Sequence, residues 1–190
     1  MSDDPHSDEE LMTRYGHGDA TAFDVLYRRH KGSLFRFLLR QCKSASIAEE
    51  LFQDVWMNLI KARMRYQVSA TFKTFLFTIA HNRLIDHYRR HSNQLAASFR
   101  DDANGDDGID QIPAPETSDP QHRVDGERQL ARLLLLLDKL PEPQRQAFLL
   151  QEEAGLSLDE IATVTNVGAE TAKSRIRYAM AKLRRGLSEP

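Results

Sequence analysis

Apolar residues recur along most of the chain at spacings of three and four, the mark of helices that bury one face. Ile47, Ala48, Leu51, Phe52, Val55, Trp56 and Leu59 form the broadest such stripe, on a helix from Ile47 to about Ala62. Helix starts are marked chemically. Ser7 with Glu10, Ser46 with Glu49 and Ser157 with Glu160 have the spacing of capping boxes, in which two orphan backbone donors are satisfied reciprocally. Asp19 is placed to cap a helix that passes Phe23, Leu26 and Tyr27 and continues to Leu38. Farther on, Gln129 to Lys139 reads as a leucine-rich helix ended by Pro141, and Pro143 opens another that stops at Gly155. A short helix from Leu158 to Val164, a turn at Asn166–Gly168 and a last helix from about Ala169 to Arg185 complete the pattern. Two-residue alternation is absent, so the expected fold class is all-α, with two small helical domains.

Between the domains the pattern stops. Asp101 to Pro120 contains Asn104-Gly105, Asp107-Gly108 and three prolines, with almost no apolar periodicity. Such a composition buries too little surface to offset its ordering entropy, and it predicts a flexible linker over 101–127. The expected domains are therefore 1–100 and 128–190.

Charge sharpens this division. The formal net charge is only −2. Residues 61–100 nevertheless carry eight basic and one acidic side chain, whereas 101–127 carry one basic and nine acidic. Residues 168–190 carry six basic and two acidic. One basic stripe is usually a solvated face; two, each at the end of a helical unit, point to nucleic acid. The longest apolar run, Leu133–Leu137, is far too short to span a bilayer. The polar, acidic start of the chain does not read as a targeting peptide, and the expected location is the cytoplasm. A single cysteine, Cys42, rules out an intrachain disulfide and a cysteine-clustered zinc site.

Three segments carry candidate chemistry. On the polar side of the Ile47–Ala62 helix, Glu50, Gln53, Asp54 and Asn58 follow one another at three or four residues. They make either a solvated face or an acidic docking patch for a basic partner. In Phe72–His91, a helical wheel turns Phe72, Leu76, Ile79 and Ala80 inward. It turns Thr78, His81, Asn82, Ile85 and Arg89 outward, with Phe77 and Tyr88 on the shoulder. Aromatics interleaved with Arg, His and Asn suit stacking on unpaired bases and contacts to phosphates. His87 and His91, with His81 and Asp86, also admit a metal-dependent nuclease. The H-E-x-x-H pattern is missing, however, and no metal, cofactor or catalytic set is expected. In the last helix Ala172, Ile176, Ala179 and Leu183 turn inward. Glu170, Ser174, Arg177 and Tyr178 lie outward, with Lys173 and Arg175 on the flanks. A short helix, a tight turn and a basic second helix are the parts of a DNA-reading helix-turn-helix.

Taken in order, AEELFQDVW, FKTFLFTIAHNRLIDHYRR and LPEPQRQAFLLQEEAGLSLDEIA followed by TAKSRIRYAMAKLR resemble the extracytoplasmic-function (ECF) group of bacterial RNA polymerase sigma factors. The resemblance covers nearly the whole chain. It implies a non-enzymatic protein that binds core RNA polymerase and directs promoter recognition, melting and initiation. Glu50, Gln53 and Asp54 would dock on the β′ clamp. Lys73, Phe77, His81, Asn82, Tyr88, Arg89 and Arg90 would lie by the minus-ten DNA. Glu170, Thr171, Lys173, Ser174, Arg175, Arg177 and Tyr178 would read the minus-thirty-five element. The implied partners are core polymerase (β′ clamp and β subunit), promoter DNA and an anti-sigma factor. Phe75 stands where the family usually has Trp, and Glu170, Ala172, Tyr178 and Met180 also depart from its pattern, so no promoter sequence follows. A regulator that recruits polymerase through the helix-turn-helix would explain the second domain but not Phe72–Arg90.

Overall fold

The computed structural model describes residues 4–98 and 120–188. Every element in them is helical. In chain order these are α1 (Asp8–Gly16), α2 (Ala20–Cys42), α3 (Ala45–Ala62), a 3₁₀ turn (Arg63–Arg65), α4 (Phe72–Ser98), α5 (Pro120–Asp138), α6 (Glu142–Glu152), α7 (Leu158–Thr165) and α8 (Ala169–Ser188). Most of the acidic stretch expected to be linker lies outside the described residues.

Capping side chains set the boundaries. Ser7 accepts from the Glu10 amide while the Glu10 carboxylate takes the Ser7 N–H, and Ser157 and Glu160 repeat the arrangement at α7. Asp19 caps α2 by accepting from the Thr21 N–H, and Arg14 clamps the same carboxylate at 2.6 Å. The box expected at Ser46 does not form. Lys43 turns into the left-handed region (φ 60°) and ends α2 abruptly, so Ser44 is the extended residue that caps α3. Ser46 falls inside the first turn. The leucine-rich helix also starts earlier than its apolar pattern, at Pro120 within the expected linker. Proline suits a first helical turn, where its missing N–H costs nothing.

Helices α1 to α4 enclose one core. Leu11, Met12, Leu26, Leu34, Phe37, Leu38, Ala48, Val55, Leu59, Phe72, Leu76, Phe77 and Ala80 are fully buried there. Along its flank Phe23, Tyr27, Phe52 and Trp56 pack ring against ring, with centroids 5.0–6.2 Å apart. Glycine permits a close approach at Gly16, where a Cβ would come within 3.0 Å of the Arg63 carbonyl oxygen. Helix α1 is tied down by Asp8, whose carboxylate takes Arg29 at 2.8 Å and His30 at 2.6 Å. The neighbouring Glu9 accepts the Phe72 N–H at 2.7 Å, so α1 supplies an acceptor to the start of α4.

Helices α5 to α8 bury Leu137, Leu140, Ala147, Leu149, Leu150, Leu156, Ile161, Val164, Ala172, Ile176, Ala179 and Leu183, which are continuous with the apolar cluster of the first four helices. The two units touch: α4 packs along α7 and α2 against α6.

Candidate polymerase and nucleic-acid interfaces

On α3, burial of Ala48, Leu51, Val55, Trp56 and Leu59 forces the intervening positions outward. Glu50 and Gln53 are exposed and Asp54 is half-buried. The Asn58 amide turns back to donate to the Asp54 carbonyl at 2.7 Å. The three candidate docking residues thus share one face of a helix braced by an aromatic cluster.

The second candidate surface is on α8. Asn166 takes the left-handed conformation (φ 51°) and ends α7, and the Val167 N–H donates to the Ala162 carbonyl at 3.0 Å. Asn tolerates this backbone better than most side chains. The turn then launches α8 at an angle fixed by its buried stripe of Ala172, Ile176, Ala179 and Leu183. Glu170, Thr171, Lys173, Arg177 and Tyr178 are exposed, and Ser174 and Arg175 half-buried. The Arg177 guanidinium lies 5.2 Å from the Tyr178 ring centroid, an exposed cation–π contact. A cationic helix with its first turns open to solvent is suited to a major groove.

On α4 the expected set divides. Lys73, Asn82, Arg89 and Arg90 are exposed. Phe77, expected on the shoulder, is fully buried with its ring 5.4 Å from Phe37, edge to face. It is a core residue in this arrangement because α4 turns its Phe72–Leu76–Phe77–Ala80 side into the bundle, a stripe one position wider than the wheel predicts. His81, expected outward, is also buried, with Nδ1 2.7 Å from the Gln146 side-chain amide. Burial lowers the His81 pKa, and the Arg175 charge adds to that; the Gln146 hydrogen bond opposes it only in part. Tyr88 is half-buried and donates its hydroxyl to the Gln41 carbonyl at 2.8 Å; burial pushes its pKa up to about 12. Arg83 and Arg89 flank Asp86 at 2.7 and 3.4 Å.

What covers this side of α4 is the second helical unit. Glu153 receives Arg36 at 2.7 Å and also pairs with Arg40. Arg145 donates to the Gln41 side chain at 3.1 Å. Glu160, beyond capping its own helix, accepts from Thr71 at 2.5 Å and Thr74 at 3.0 Å. Burial alone would raise the Glu160 carboxyl, but the hydrogen bonds from Thr71, Ser157 and Thr74 together pull it down to about 2. Lys43 lies 3.3 Å from Asp138. None of these partners was evident from the sequence, since each pair is separated by more than 60 residues. The one local trace is a polar residue at an otherwise buried helix position, as at Gln41 and Thr74. Burial pushes the Cys42 thiol up to about 12, which keeps it protonated and unreactive. Among the described residues no three His, Cys, Asp or Glu side chains gather as a metal site.

Comparison with known proteins agrees with both halves. The Sigma-70 region 2 family matches residues 26–94, and Sigma-70, region 4 matches residues 130–183. The RNA polymerase sigma factor CarQ of Myxococcus xanthus is 30% identical over 178 residues, covering 94% of this chain and 96% of that protein. The chain belongs to the ECF sigma factors. The sigma-H factor of Pseudomonas aeruginosa is 27% identical over 174 residues, covering 89% of this chain and 88% of its own length. Two solved structures share the fold. CnrH in complex with the cytosolic domain of CnrY has a TM-score of 0.67 at 23% identity, with 95% and 96% of the two chains covered. RpoE in complex with the anti-sigma factor NepR, from Bartonella quintana, has 0.71 at 22%, with 87% and 96% covered. This sigma factor therefore directs promoter recognition in transcription initiation. Among its described residues no helix is long and apolar enough to cross a membrane.

Proposed function

We propose that this sigma factor works through three separate surfaces: α3 docks on the core polymerase β′ clamp, α4 engages the minus-ten strand, and α8 reads the minus-thirty-five element. The observation that carries the reading is the outward set on each helix. Glu50 and Gln53 are exposed on α3; Asn82, Arg89 and Arg90 on α4; and Lys173, Arg177 and Tyr178 on α8. In this reading the α3 carboxylates meet a basic partner surface. The α4 side chains contact a melted strand. Arg177 pairs with a base edge while Lys173 holds phosphate. Single-stranded DNA must be supplied by the assembled holoenzyme, so the free chain binds promoters weakly. The β subunit is a further contact of the second helical unit. An anti-sigma partner is part of the proposal too, supported by the complexes in which CnrH and RpoE were solved.

The test adds the full chain to core polymerase and genomic DNA and maps transcript 5′ ends. Discrete new starts that share a two-part upstream sequence are expected. Their loss in Glu50→Lys/Asp54→Lys, with normal folding, would support the α3 surface. No new starts, with an active control sigma factor in parallel, would overturn the assignment of roles.

A further inference from the structure

Residues 61–100 carry eight basic side chains and one acidic, Asp86. That carboxylate does not stand off to one side. At 3.6 residues per turn, Asn82, Asp86 and Arg89 lie within about 60° of one another around α4. Asn82 and Arg89 are two of the exposed residues assigned to the strand. An anion between them repels phosphate and lowers the affinity that the surrounding cations supply.

What Asp86 does there is hold arginines. Its carboxylate takes the Arg83 guanidinium at 2.7 Å and the Arg89 guanidinium at 3.4 Å, one from the turn before it and one from the turn after. The two grips differ. The Arg83 and Asp86 side chains are 30% and 28% exposed, whereas that of Arg89 is 71% exposed. Arg83 is thus fixed against the helix, while Arg89 is tethered through one nitrogen and keeps its other N–H groups for a ligand. Ion pairs near the surface add little to stability, so a structural role accounts poorly for an anion in this place. A guanidinium ordered beforehand, by contrast, loses less side-chain freedom when it meets its partner.

We propose that Asp86 is a positioning residue of this surface: it withholds Arg83 and Arg89 from duplex phosphates and presents them, already ordered, to the melted minus-ten strand. This rests on the reading of α4 as the strand-engaging helix. Asp86 acts through the two arginines, exchanging sequence-independent affinity for discrimination. Releasing both onto duplex phosphates adds two contacts, which steepens the log–log salt dependence of duplex binding by about 1.8. Losing their order lowers discrimination by about two- to tenfold for each arginine.

The experiment uses holoenzyme assembled from the full chain, with two probes. One is a fluorescent single-stranded oligonucleotide carrying the minus-ten element of a mapped promoter, matched or mismatched. The other is a duplex of scrambled sequence. Asp86→Asn should bind the duplex several-fold tighter at low salt, with the steeper slope, and discriminate the matched strand about threefold or more less well. Asp86→Glu keeps the charge and reaches the same guanidiniums, so it should stay close to the parent on both probes. In an Arg83→Gln/Arg89→Gln background Asp86→Asn should change binding to neither probe, because the residues it acts through are gone. An unchanged Asp86→Asn, or an Asp86→Glu that behaves like it, overturns the proposal. So does an equal effect in the double background, which would make Asp86 a plain repeller of phosphate. All variants should unfold at the parent's urea midpoint, and a large fall in Asp86→Asn assigns the residue to the fold instead. Asn82→Ala separates these failures from that of the underlying reading. Lost discrimination in Asn82→Ala leaves α4 as the strand reader and confines the failure to Asp86, whereas unchanged discrimination overturns the reading of α4 and the proposal with it.

Discussion

Phe77 separates a packing role from a DNA-contact role, and its replacement gives a sharp test. The ring is fully buried and stands edge-on to Phe37 at 5.4 Å with an interplanar angle of 79°. Truncation to alanine removes the buried ring and leaves a cavity, which costs about 3–5 kcal/mol. That is a large share of the roughly 5–15 kcal/mol that holds a domain together. With a urea slope of about 1.5 kcal/mol per molar, the unfolding midpoint should fall by about 2–3 M. Phe77→Leu keeps most of the volume and should cost only about 1.5 kcal/mol. Combined with Phe37→Leu, it should show about 0.5–1.5 kcal/mol of coupling from the lost ring contact. Trp56 is the sole tryptophan and is buried on α3, so its fluorescence follows unfolding of the helices around Phe77. A change below about 1 kcal/mol in Phe77→Ala, together with a collapse in promoter use, would refute the reasoning and return Phe77 to the DNA surface.

Asp8 anchors α1 through Arg29 and His30, whose hydrogen bonds outweigh its burial and hold its pKa below 3.8. Because the folded value is depressed, its contribution is complete above the ordinary carboxyl range and lost as pH falls through the folded pKa. Asp8→Asn should therefore cost about 2 kcal/mol at pH 7, and the gap should close as acid denaturation curves are followed below pH 3.8. At Asn166, Gly should be tolerated, whereas Val should destabilise the second unit by at least about 1–2 kcal/mol in thermal unfolding, because a branched side chain resists positive φ. In holoenzyme binding assays, Arg177→Ala should cost about 1–3 kcal/mol and relax preference at one base pair. Lys173→Ala should weaken all promoters alike and reduce the salt slope by about 1.

What was legible in the sequence was local. The capping boxes at Ser7 and Ser157, the left-handed turn at Asn166 and the inward stripe of α8 follow from residues within one or two turns of each other, and those appear where expected. The same local logic chose Ser46 over Ser44, because it could not register that Lys43 would end α2 with a reversal. On α4 the wheel described one helix correctly but had no second body to place beside it. His81 is polar and lies outside the main apolar stripe, so its burial depends on Gln146, 65 residues away. Glu160 showed the complementary blindness: one carboxylate satisfies both a local cap and a distant pair of threonines, and only the first leaves a sequence signature.

The hydrogen bond from the Phe72 N–H to Glu9 joins residues 63 positions apart. For a nascent chain this is an ordering constraint on time. At a synthesis rate of about 5–20 residues per second, α1 emerges roughly 3–13 s before the helix start it caps exists. During that interval Leu11 and Met12 have no α4 to pack under, and the first unit cannot close until α4 has left the ribosome. The helix proposed to engage DNA is thus also the last piece of its own scaffold.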